Sequence, residues 1–109
     1  MRSKSEAGLL ALGTTSGQVI ADPSKASIIT ATFNGNATLL LKLADPGTVM
    51  RILFQQDATA GRTLTLDGAS EANAVFGGAT TIALNVGANA VTIYDLVWHA
   101  SDKVCITKQ

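Results

Sequence analysis

Residues 55–66 read Gln55-Gln56-Asp57-Ala58-Thr59-Ala60-Gly61-Arg62-Thr63-Leu64-Thr65-Leu66. An extended run ends at Gln56-Asp57, a small-residue turn follows at Ala60-Gly61, and a second extended run leaves through Thr63 to Leu66. The segment before it, Thr48 to Phe54, and the one after are rich in Thr, Leu, Ile and Val, which suit a pleated, half-buried surface. The stretch reads as a β-hairpin with Arg62 able to pair with Asp57 across the turn. An exposed ion pair of that kind contributes about 0–1 kcal/mol.

Working outward, short extended segments alternate with turn chemistry. Asp22-Pro23-Ser24 and Asp45-Pro46-Gly47 are turns that Pro pre-sets and Asp stabilises. Ser27 to Phe33 places Ile29, Ala31 and Phe33 on one face and stops at Asn34-Gly35-Asn36, a strong hairpin signal. Ala37 to Ala44 aligns Leu39, Leu41 and Leu43. Thr48 to Gln56 is apolar on both faces except at Arg51, as a central strand would be. Further strands are read at Thr80 to Val86, Ala90 to Trp98 and Lys103 to Lys108. About eight antiparallel strands with turns every 8–12 residues predict an all-β, single-domain β-sandwich of jelly-roll type. Residues 1–21 read as an N-terminal arm and 22–109 as the sandwich.

Composition narrows the function. The 109 residues carry eight basic and eight acidic side chains, a net charge of zero, and no basic cluster beyond Arg2 and Lys4. This argues against nucleic-acid binding. A charged fraction of 15% with a mean hydropathy of +0.29 is low for a free monomer and points to surface covered by partner subunits. The apolar run at residues 7–13 follows Glu6 and is interrupted by Thr14-Thr15-Ser16-Gly17, so it makes a poor export signal. The longest uncharged stretch, Ala72 to Tyr94, is broken by Asn and Gly, so no membrane span is expected. Leu9, Leu10 and Leu12 are too apolar for a solvated tail and are expected to dock, on this subunit or on a neighbour.

No reaction chemistry stands out. His99, Cys105 and the aspartates could be drawn as a nucleophilic set, but a strand-end His and a strand Cys read more simply as an exposed side chain and a half-buried free thiol. One His and one Cys fall short of a structural zinc set. Asp45, Asp57, Asp67 and Asp102 lie in turns, where backbone capping is the ordinary role. No catalytic residue, metal or cofactor is expected.

The same segments resemble small virion proteins of tailed bacteriophages that carry a QDATGGRTL-type hairpin. Gln56, Asp57, Gly61 and Arg62 match that motif, Asn36 to Leu39 is similar to its GNvTL strand, and Tyr94 to Ala100 to its closing strand; residues 27–107 are covered. Ala60 stands where the group often has Gly, and Leu66 where it often has Trp. The resemblance implies a jelly-roll-like domain, commonly trimeric, that serves as a capsid decoration (cement) protein or as a tail-fibre tip. A fibre tip is expected to come with an attachment domain and a shaft, and these 109 residues read as neither, so decoration is the expectation. The resulting expectation is a homotrimer, made in the host cytoplasm, that binds the major capsid protein on the virion surface. Arg2, Lys4, Leu9, Leu10 and Leu12 are expected in capsid or inter-subunit contacts. The alternative is a tail-fibre or baseplate component that binds a receptor or glycan through an exposed aromatic platform.

Overall fold

The computed structural model describes residues 8–76 and 82–109, with Phe76 described by its backbone alone. The expected all-β class is found. Among the described residues there are seven strands: β1 (Leu9–Ala21), β2 (Ile28–Leu41), β3 (Val49–Gln56), β4 (Leu64–Leu66), β5 (Asn73–Phe76), β6 (Val91–Ala100) and β7 (Lys103–Lys108). They form one curled, half-open sheet in the order β1-β2-β3-β6-β7-β5, with β4 also paired to β2. Of the expected arm, residues 1–7 lie outside the described residues and Leu9–Ala21 is strand β1.

The strands are not all antiparallel, as the sequence reading had them. The pairs β1·β2, β2·β3, β2·β4 and β5·β7 are parallel, and β3·β6 and β6·β7 are antiparallel. Alternation of apolar and polar residues is the same in both kinds of ladder, so the pattern carries no direction. Parallel neighbours ordinarily need a crossover of a dozen residues or more, whereas residues 22–27 alone join β1 to β2. Seven Cα steps from Ala21 to Ile28 span at most about 25 Å, yet a straight strand from Ile28 to Leu41, which lies beside Ala21, would be about 43 Å long. The strands must bend so that their ends return towards their beginnings.

The bend falls at one corner in three stacked windings. In β1 the register shifts on either side of Thr14-Thr15, and Gly13 and Gly17 take positive φ of 68° and 87°. In β2 the corner is Asn34-Gly35-Asn36, where a hairpin was expected; the strand instead runs on. Ile29, Ala31 and Phe33 before it and Ala37, Leu39 and Leu41 after it all point inward, in unbroken phase with Gly35 between them. Neither Asn34 nor Gly35 has the positive φ that such a turn demands. A Cβ on Gly35 would stand 2.9 Å from Ser16 Cβ, so glycine serves here for the close approach of β1 and β2. In the third winding the corner is the loop 57–63. It carries the chain from β3, beside Ile28–Phe33, to β4, beside Ala37–Leu39. The QDATAGR segment is thus a corner and not a hairpin: β3 and β4 share an edge of β2 and do not pair with each other.

The curled sheet closes on a core of Phe33, Leu39 and Leu41 with Met50, Ile52, Phe54, Leu96, Trp98, Val104 and Ile106. Phe33 and Phe54 stack with centroids 4.9 Å apart. Trp98 is fully buried and its indole N–H donates to the Lys42 carbonyl at 3.0 Å. The expected strand over Thr80 to Val86 is not seen in its described part: residues 82–86 have no ladder and are tied to β6 through its side chains. The Ala83 N–H donates to the Tyr94 hydroxyl at 2.6 Å, that hydroxyl donates to the Ala83 carbonyl, and the Asn85 N–H donates to Thr92 Oγ1 at 2.7 Å. Ile82 and Leu84 pack against the core. Burial raises the Tyr94 pKa above its ordinary value. Both proline turns form as expected, with Ser24 N–H donating to Asp22 Oδ1 at 3.0 Å and Thr48 N–H to the Asp45 carbonyl at 3.1 Å.

Candidate functional site

The sequence motif and the apolar anchors are separate places in the fold. At the motif, Gln56 is buried at 2% exposure, and its side-chain amide meets the backbone of Arg62 twice. Nε2 donates to the Arg62 carbonyl at 3.0 Å, and Oε1 accepts the Arg62 N–H at 2.8 Å. This is the exchange two strand residues make across a ladder, performed here by a side chain. Asp57 Oδ1 accepts the N–H groups of Thr59 and Ala60 at 3.0 and 3.2 Å. Arg62 closes on the same carboxylate, with a terminal guanidinium nitrogen 3.0 Å from Oδ2. The Arg62 bond, above all, holds the Asp57 carboxyl below the ordinary carboxylate range.

The loop is also sewn to its surroundings. Asn36 Oδ1 accepts the Thr63 N–H at 3.1 Å, the Val86 carbonyl accepts the Gly61 N–H at 3.2 Å, and the Asp57 carbonyl accepts the Asn89 N–H at 3.1 Å. Gly61 has φ of 73°, and its neighbour Ala60 takes φ of 68°, a left-handed conformation unusual for a side chain with a Cβ. Gln56, Asp57, Gly61 and Arg62 are therefore spent on the corner itself. Asn36 and Asn89 complete it.

Asp67 does similar work one winding along: its carboxylate accepts the Ala69 N–H at 2.9 Å, Gln18 Nε2 at 2.7 Å and Thr38 Oγ1 at 3.3 Å. The Ala69 bond is the first cause of its lowered pKa.

The other place is the free edge of β1. Among the described residues this strand pairs on one side only, at the end of the sheet. Leu9 and Leu10 are 63% and 39% exposed, while Leu12 packs against the core. Arg2 and Lys4 lie outside the described residues. Beside this edge opens a groove of about 590 Å³ lined by Leu10, Ile20, Asp22, Lys25, Ile29 and Lys42. Its floor is apolar and its rim carries both signs of charge, with Lys42 held by Glu71 at 3.2 Å.

Compared with family models, with curated proteins and with solved structures, the chain matches none of them.

His99 is exposed and Cys105 half-buried, with its Sγ 3.9 Å from Thr107 Oγ1. Among the described residues, no group of three or more His, Cys, Asp or Glu is placed to hold a metal, and no helix is long and apolar enough to cross a membrane. Tyr94 and Trp98, at 3% and 0% exposure, are core residues.

Proposed function

We propose that this chain is a binding module of a phage particle: a capsid decoration protein that associates as a trimer and grips the major capsid protein on the matured shell. The observation that carries this reading is the free edge of β1. An edge strand presents unpaired N–H and C=O groups that another chain can join, and here exposed Leu9 and Leu10 stand on it beside an apolar groove. Glycine bulges at 13 and 17 interrupt the strand, so the regular stretch Leu9–Ala11 is the part suited to receive a capsid segment. The resemblance of Gln56, Asp57, Gly61 and Arg62 to the phage motif adds the class of partner.

The mechanism is mechanical. A protein that binds the expanded shell and not its precursor stabilises the expanded state by mass action. Three attachment points per trimer turn weak contacts into firm attachment through effective concentration. In this reading the jelly-roll-like sandwich expected from the sequence is completed where copies and shell cover the open sheet. Receptor or glycan binding draws less support, because the aromatic side chains it would use, Tyr94 and Trp98, are buried.

The test is to mix the purified protein with emptied, expanded heads of the encoding phage and with unexpanded precursor heads, then sediment both. Saturable coating of expanded heads alone, weakened by Leu9→Asp with Leu10→Asp, is expected. Absence of binding to expanded heads rejects the proposal.

A further inference from the structure

Which backbone groups of β1 reach its free edge follows from the bonds at its start. The Gly8 carbonyl accepts the Ser27 and Ile28 N–H groups at 3.0 and 3.5 Å, so Gly8 faces β2. Along an extended strand the polar groups of successive residues point to opposite sides. Leu10 therefore faces β2 as well, and the N–H and C=O of Leu9 and Ala11 point to the free edge. Leu10 is paired with fully buried Ile29, so its side chain points inward, yet it is 39% exposed. Together these two form the floor of the groove of about 590 Å³, a size that suits a ligand. The lining holds two cations and one anion. Lys42 is matched by Glu71 at 3.2 Å, and Asp22 turns Oδ1 to the Ser24 N–H and hydroxyl at 3.0 and 2.6 Å. Among the described residues Lys25 is in no ion pair, and it lies just before Ser27, beside Gly8.

We infer that this edge takes an extended peptide segment as an added strand, with an apolar side chain opposite Leu10 and an acidic one opposite Gly8. Leu9 and Ala11 offer the segment two backbone donors and two acceptors, the means by which a strand is added to a sheet. Directly opposed residues of neighbouring strands point the same way, so the partner residue opposite Leu10 enters the groove while its two neighbours point outward. The next inward position towards Gly8 meets Lys25, whose unmatched charge selects a carboxylate. A second copy of the same edge does not meet this requirement. Its residues Gly8 to Leu12 carry no acid, and it would bring another Lys25 and Lys42 to the groove.

The inference names the chemistry of the segment that is gripped, and rests on the capsid reading only for which protein supplies it. The probe is the pentapeptide Thr-Asp-Thr-Leu-Thr with both ends blocked, added at millimolar concentration to the full chain and followed by NMR shifts and amide hydrogen exchange. Slowed exchange at the Leu9 and Ala11 amides, with shifts at Leu10 and Lys25, is expected. Replacing the peptide's Asp by Lys should weaken binding about fivefold, and Lys25→Glu should reverse that preference. Ala11→Pro deletes a donor on the free edge alone, where an edge strand tolerates proline, and should abolish binding while the rest of the spectrum is kept. No slowing with the peptide, or equal binding of the two peptides, overturns the inference. Slow exchange at Leu9 and Ala11 before peptide is added overturns it too: in dilute samples it shows the edge covered by the chain's own residues, and in concentrated samples alone by a second copy. Failure to coat heads by a protein that binds the peptide as described rejects the capsid reading and leaves the peptide site standing.

Discussion

The buried side chain of Gln56 and the backbone of Arg62, six residues on, exchange two hydrogen bonds of 3.0 and 2.8 Å, so a side chain supplies the bridge that turns the third winding of the chain. Gln56→Ala removes both partners and leaves a donor and an acceptor of Arg62 without their bonds. A loss of about 1–3 kcal/mol is expected, read as a lower urea midpoint with unchanged slope. Gln56→Glu should be as harmful at neutral pH, because a carboxylate oxygen would face the Arg62 carbonyl.

Ala60 sits at φ of 68°. The left-handed region costs a residue with a Cβ about 1–2 kcal/mol, while glycine's extra freedom in the unfolded chain costs about 0.4–1 kcal/mol. Ala60→Gly is therefore expected to stabilise by up to about 1 kcal/mol, a rise of about 4 °C in Tm, and Ala60→Val to destabilise.

Gly35→Ala would put a methyl 2.9 Å from Ser16 Cβ and push β1 away from β2, at a cost of about 1–3 kcal/mol. Ser16→Gly in the same chain should recover most of it. A double-mutant cycle by denaturant titration measures the coupling, and additive effects would show that the two positions do not meet.

Acid should weaken the fold in a defined window. Asp57, held by Arg62, Asp67, held by the Ala69 amide and Gln18, and Asp22, held by the Ser24 hydroxyl, all have lowered pKa values when folded. The unfolded chain binds more protons than the folded one there, so their contribution is complete above the unfolded value near 3.9 and is lost as pH falls through the folded values. Urea midpoints should be level from neutral pH to about pH 5 and fall below about pH 4. Asp57→Asn and Asp67→Asn should each flatten the fall.

Much of the fold can be read from residues alone. Ile29, Ala31 and Phe33, or Met50, Ile52 and Phe54, alternate with outward side chains because a strand has a period of two, and all six are buried. Asp22-Pro23-Ser24 and Asp45-Pro46-Gly47 turn the chain by local bonds, which need no distant partner. The Asp57–Arg62 pair is likewise local and visible in the spacing. The segment at 82–86 was less legible: its Ile82 and Leu84 have strand spacing, but its amides are taken by Tyr94 and Thr92, and nothing in the spacing tells a ladder from a side-chain anchor. The groove beside Leu10 was not legible either, since Ile20, Lys25 and Lys42 meet there only because the windings stack.

The sequence by itself determined that the chain is β-structure with an inward apolar face, that Asp22-Pro23-Ser24 and Asp45-Pro46-Gly47 are turns and that Asp57 can pair with Arg62, because periodicity and short-range hydrogen bonds are properties of neighbouring residues. Only the tertiary structure decided that the strands run mostly parallel, that Asn34-Gly35-Asn36 and QDATAGR are corners and not reversals, and that Val49, Val97, Cys105 and Val75 share one outward row. Strand direction and partner choice depend on where a bent chain returns in space, and a pattern of alternate residues is blind to that.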